Sequence, residues 1–203
     1  LRAGVLGSLT LARVRLSPGA YRTIVLVSAV LRGVIIVSGG AVRLTGSGLG
    51  CPDWPNCSPG SLVPRGASDG HAMVEFVNRV FTGLVSVVVI AAVLGSVVRT
   101  PRRRDLVWLS GGLVAGVVAQ IVLGGITVLT GLNPVAVQGH FMLSIALVAD
   151  AVVLHRRAGA EPPYRSVVPP LVRRHAMAVV AAIALALATG TVVTGTGPHG
   201  GDE

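Results

Sequence analysis

The stretch Gly39 to Cys57 reads GGAVRLTGSGLGCPDWPNC, and its first eight residues decide the fold. They return as GGITVLTG at 124–131 and as GTVVTGTG at 190–197, each time where an apolar run ends. A unit that recurs at the ends of apolar runs is one hairpin of a membrane bundle copied along the chain. The long loop entered through the first copy holds both cysteines of the sequence, Cys51 and Cys57.

Composition agrees. The 203 residues are 52% hydrophobic and only 12% charged, and the mean hydropathy is +0.76, too apolar for a soluble domain of this size. All 17 basic residues are arginine, giving a net charge of +9. That charge would suit nucleic acid, but the arginines fall between apolar runs, where the positive-inside bias puts them, so nucleic-acid binding is excluded. The Arg-spaced segment Leu1 to Ser17 lacks the uninterrupted apolar core and small-residue cleavage site of a signal peptide, and residues 1–20 are expected to form a cytoplasmic lead-in.

Five runs reach the roughly 20 apolar residues a bilayer needs: 21–44, 78–98, 106–130, 137–155 and 177–194. Arginines precede the first, separate the second from the third, and separate the fourth from the fifth. The N-terminus and these linkers are therefore expected in the cytoplasm, with every Thr-Gly repeat on the outer side. The expected fold is all-α, an integral membrane bundle of five transmembrane helices. Residues 21–155 make one up-down four-helix unit with a long outer loop at 45–70, 156–176 an Arg-rich cytoplasmic linker, and 177–203 the first helix and outer tail of an incomplete second repeat. The copies run parallel, unlike the inverted repeats of many transporters. Their Gly pairs are expected to allow close helix approach and to supply the positive φ of a sharp helix exit.

Cys51 and Cys57 face the oxidising side, which favours a disulfide. Two thiols without a nearby histidine pair are too few ligands for zinc. A structural staple is the simpler role, and an exposed short-loop disulfide is also open to reduction.

Helix 2 opens with His71, Glu75, Asn78 and Arg79 at spacings of three and four, so they share a face. One reading is a capped helix end with a Glu-Arg pair; the other is a carboxylate placed to move protons where water thins out. His140 opens helix 4, either as an interfacial anchor or at the depth of Glu75 and Asn78, because helices 2 and 4 run the same way. Facing polar groups inside a bundle build cofactor sites, and imidazole ranks haem ahead of a bare metal ion. Arg32, Gln120 and Asp150 lie near mid-span. A charge there is normally paired, so Arg32 and Asp150 are expected to form a structural ion pair; they are also the only features that favour a small transporter. His155 and His175 read as interfacial, and His199 as a loop residue.

These residues carry a resemblance. VRLTGSGLGCPDWPNC at 42–57, EFVNR at 75–79, GGITVLTGLNPVAVQGHF at 124–141 and VVTGTGPHGGD at 192–202 closely resemble haem A synthase in its actinobacterial form. The resemblance implies a multi-pass oxidoreductase of the bacterial plasma membrane that oxidises a methyl group of haem O to the formyl group of haem A for cytochrome oxidase. It implies eight helices in two similar halves, one holding haem b and the other receiving the substrate haem. Glu75 matches the family's essential acid, His140 its haem-ligand histidine, and Cys51 and Cys57 its first-loop cysteine pair. His71, Asn78 and Arg79 complete the expected haem-contacting set. Asn78 stands where many relatives have histidine, leaving His71 or His140 alone to hold the substrate iron. Helices 6 to 8 are not in this sequence, so the chain is expected to be truncated after helix 5, either as a truncated copy or fragment or with the remainder, and the haem b site in it, supplied by a separate chain; a homo-oligomer is the other partner left open. Haem O, haem O synthase, cytochrome oxidase assembly factors and membrane lipid are the implied partners. A non-enzymatic haem-binding or assembly-partner protein is the competing class.

Overall fold

Proline begins three of the five helices, its fixed φ suiting the first turn where no amide donor is needed. The computed structural model of the chain describes residues 15–65 and 69–196; residues 1–14 of the expected lead-in, Gly197 of the third repeat and His199 lie outside them. Helix α1 spans Pro18–Leu44, α2 Gly70–Val98, α3 Arg104–Leu129, α4 Pro134–Ala158 and α5 Pro170–Thr196. All five are long and apolar enough to cross a membrane, and no strand occurs among the described residues. Side-chain oxygens cap three N-termini: Ser17 accepts from Ala20, Asp69 from His71 and Ala72, and Asn133 from Val135 and Ala136. The Asp69 cap starts α2 eight residues before its apolar run. Likewise, α5 begins seven residues before its run and takes Arg173, Arg174 and His175 out of the expected linker and into the helix.

The repeat ends its helices differently from the expectation. Gly39, Gly40, Gly124 and Gly125 are all helical. The positive φ falls on the last glycine of the motif instead, 65° at Gly46 and 64° at Gly131. Each follows a threonine C-cap whose N–H bonds back four residues, Thr45 to Ala41 and Thr130 to Ile126. The Thr-Gly step is thus the helix stop, and the Gly pair is freed for packing.

Helices α1 to α4 close a ring in chain order, each touching the next and α4 touching α1. Helices α2 and α4 stand at diagonal corners without contact, as do α1 and α3. Helix α5 packs on α4, where Gln138 Nε2 donates to Thr191 Oγ1 at 2.8 Å, Arg43 of α1 reaches its Thr194 O at 3.5 Å, and none of its residues is buried.

The larger core fills one half of the ring. Tyr21 and Val25 of α1, Val85, Val89 and Ala92 of α2, Leu106 and Leu113 of α3, and Leu147, Ala151 and Leu154 of α4 form one buried cluster. Every one lies toward the end that carries the Arg-rich linkers. Each buried stripe repeats at three, four or seven residues. Continued toward the motif end, the stripes reach Gly39, Asn78, Gly124 and His140, none of which is buried. A second, smaller buried cluster, Cys51, Cys57 and Ala72 with Phe76 packed on it, lies at the motif end.

Candidate functional site

Glu75 lies in that motif half and is 5% exposed. Its Oε2 accepts the Cys51 N–H at 2.7 Å, while Oε1 takes Arg79 Nε at 3.1 Å and Nη2 at 2.5 Å. The Arg79 fork continues into the loop, donating to Cys51 O at 2.6 Å and Asn56 O at 2.9 Å. Such charge-assisted bonds are short and strong, and they satisfy a carboxylate that burial would otherwise penalise. Cys51 and Cys57 are joined in a disulfide, so the acid is held by a closed loop rather than by its own helix alone.

The loop is seated by glycines. A Cβ on Gly50 would lie 2.5 Å from the backbone carbonyl of His71, and one on Gly125 would lie 2.9 Å from the Trp54 ring. The strap thus runs from α2 across to α3 and covers their seam at the motif end. His71 Nδ1 bonds Ser47 Oγ at 3.0 Å, which fixes its ring against the same loop. Gly50→Ala is expected to lower stability by about 1–3 kcal/mol, because the clash is with backbone. Gly40→Ala, with nothing within 4 Å, should be neutral; paired thermal melts of the two variants check both.

His140 is placed differently. Its ring sits against α3, with Cε1 3.4 Å from where a Cβ on Gly124 would be. Its backbone oxygen accepts from Gln120 Nε2 at 3.1 Å and from Ser144 Oγ at 2.9 Å, which locks that turn of α4 onto α3. Its Nδ1 is buried with no hydrogen-bond partner. Other buried atoms of the bundle share this state, among them Gln120 Oε1 and His155 Nδ1; of the two imidazoles only His140 lies at the motif end.

The structure redistributes the expected set. Glu75 and His140 belong to diagonal helices that do not touch, so the acid lies in the α2–α3 seam while the imidazole rests on Gly124. Arg79 is committed to Glu75 and loop carbonyls. Asn78 accepts from Ser38 Oγ of α1 at 2.8 Å. By rise per residue, Asn78 lies about 12 Å into α2 and His140 about 9 Å into α4, whereas His71 is at the helix start. Glu75, about 7.5 Å into α2 by the same measure, and Asn78 therefore bracket the level of His140.

The expected Arg32–Asp150 ion pair is not formed. Arg32 is 3% exposed, yet its Nε and Nη2 have no partner, and the ion pairs among the described residues are Arg79–Glu75 and Arg103–Asp105. Asp150 instead leans on α3, with Oδ2 3.3 Å from where a Cβ on Gly112 would be. The two charges act on one another without direct contact.

Residues that sequence reasoning passed over hold the site together: Ser47, Gly50, Trp54 and Gly125 seat the loop, and Ser38 engages Asn78. The Gly124–Gly125 pair was the available signal, since two glycines inside an apolar run permit two close neighbours.

A helical membrane bundle, packed at one end and polar at the other beneath a disulfide-closed strap, is the class these features define. The chain belongs to the COX15-CtaA family, described as cytochrome oxidase assembly protein, which matches residues 22–198; it is a multi-pass membrane protein. It is 32% identical over 122 residues to the heme A synthase of Listeria welshimeri serovar 6b, covering 60% of this chain and 40% of that one. It is 30% identical over 146 residues to that of Exiguobacterium sibiricum, covering 70% and 48%, and 33% identical over 134 residues to that of Lysinibacillus sphaericus, covering 63% and 41%. The chain thus spans less than half the length of these curated relatives. No solved structure matches it.

Proposed function

We propose that the four-helix ring is the substrate-haem unit of a haem A synthase, in which a methyl group of haem O is oxidised to the formyl group of haem A. The single observation that carries this reading is the unpartnered, buried Nδ1 of His140 at the motif end of α4, in a chain whose curated relatives are named heme A synthase. The donor set fits a haem: one imidazole, a neighbouring helix reduced to Gly124 at contact distance, and a carboxylate close to the mouth.

His140 holds the substrate iron, which supplies the redox chemistry when bound. Glu75 accepts or positions a proton at the reacting side chain of the ring, with its orientation fixed by the Cys51 amide and Arg79. The disulfide strap excludes water from the α2–α3 seam. His71, turned by Ser47, is the second imidazole on the same helix as Glu75 and guards the mouth. The resident haem b that the resemblance implies is assigned to the part of the relatives this chain does not span, and no role here depends on it. The Arg-rich end faces the cytoplasm of a bacterial plasma membrane and the strap faces outward.

The test is to supply membranes carrying this chain, alone and co-expressed with a C-terminal half, with haem O, and to identify the product by mass. Formation of formyl haem in the co-expressed sample supports the reading. No conversion together with no haem-dependent absorbance in the purified protein overturns it.

A further inference from the structure

Helix α3 holds residue 140 at two points, a helical turn apart. The ring lies on Gly124, with Cε1 3.4 Å and Nδ1 3.8 Å from where a Cβ there would be. The backbone oxygen is met by Gln120, whose Nε2 donates to it at 3.1 Å. Gln120 and Gly124 stand four apart in the sequence, so they share one face of α3. The amide also donates to Ser144 Oγ, and the Ser144 hydroxyl donates its own hydrogen to the same His140 oxygen at 2.9 Å. These bonds fix which end of the amide faces α4. A carbonyl oxygen only accepts, and the serine hydrogen is already used, so the nitrogen has to lie on that side. Turning the amide over would lose both bonds.

The same orientation leaves Gln120 Oε1 buried with no hydrogen-bond partner. A buried acceptor without a donor opposes folding, and an apolar side chain of the same length would hold α3 against α4 without that penalty. What an apolar side chain could not do is grip the carbonyl of residue 140. We propose that Gln120 is a positioning residue for the His140 imidazole, fixing the turn of α4 that carries the ring and, with Gly124, setting the ring's height along α3. This assignment rests on the haem reading above, and it adds what holds the ligand nitrogen in one place. Groups that orient a metal ligand from behind are worth about ten- to a hundredfold in affinity, because a ligand loose by about 1 Å no longer meets the metal in one geometry.

The purified full chain in nanodiscs is titrated with haem O and followed by Soret absorbance. The iron–imidazole stretching band of the ferrous form is read by resonance Raman, and thermal melts are taken without haem. Gln120→Met keeps the length of the side chain and removes its bonds to α4. It is expected to lower haem O affinity about tenfold and to shift or broaden the iron–imidazole band. The melt should stay within about 3 °C of wild type, since the orphaned acceptor goes with the amide. Gln138→Met is the control: it removes an amide bond from the same helix, to Thr191 of α5, without touching residue 140. Its affinity is expected within about twofold of wild type, with the band unmoved. Should Gln120→Met fail to fold, Ser144→Ala removes one hydroxyl from the same oxygen and is expected to move the band in the same way. An unmoved band overturns the assignment whatever the affinity or the melt does, and so does an equal change in Gln138→Met. In those cases the haem reading stands. A wild type that binds no haem O overturns both.

Discussion

Glu75→Gln is expected to abolish conversion of haem O, with turnover reduced roughly a hundredfold or more, while haem binding persists. The amide is nearly isosteric, so its oxygen can still accept the Cys51 N–H now received at 2.7 Å. It cannot take up a proton at neutral pH, and its NH₂ must then face the Arg79 guanidinium, which now donates twice to Oε1. One donor is left facing another, at a cost of about 1–3 kcal/mol. Arg79 keeps its bonds to Cys51 O and Asn56 O, so the strap should stay seated. The separating measurement is Soret titration beside the turnover assay: unchanged affinity with lost turnover identifies a chemical role. A parallel loss of both would instead mark Glu75 as a strap anchor. Glu75→Asp is expected to fail as well, because a side chain one methylene shorter cannot reach the Cys51 amide without moving the loop.

The same residues show what a sequence can and cannot carry. The ring was legible because its causes are one-dimensional: run length gives the spans, arginine placement the linkers, and the Thr-Gly copies the ends that match. The disulfide was legible because Cys51 and Cys57 had only each other. The partners of Arg79 were not, since two of them are the backbone carbonyls of Cys51 and Asn56, and no side-chain pattern encodes where a loop turns its carbonyls. Arg32 and Asp150 make the complementary point. Counting residues gives depth along a helix and brings the two charges within reach of each other, but it does not give the direct contact, and Asp150 Oδ2 lies against α3 at Gly112. The Gly pairs were read with two causes, close approach and a turn, and only the first holds: at 124 and 125 they admit an imidazole and an indole, while the turn falls to Gly46 and Gly131.

That imidazole carries the other large effect. His140→Ala is expected to remove the haem-dependent Soret band of the purified chain and with it all conversion of haem O, while leaving the thermal melt of the haem-free protein almost unchanged. The two halves of this expectation come from one observation. Because Nδ1 has no hydrogen-bond partner, deleting the ring leaves no other group unsatisfied, and the usual penalty for breaking a buried bond does not arise. The contacts that lock the turn, from Gln120 and Ser144, are to the His140 backbone oxygen and survive truncation. A residue held for packing would behave in the opposite way, since loss of a buried ring typically costs several kcal/mol. An intact Soret band in His140→Ala would move the iron to His71, the other imidazole at this end among the described residues. The double variant with His71→Ala would then lose the band that neither single change removed.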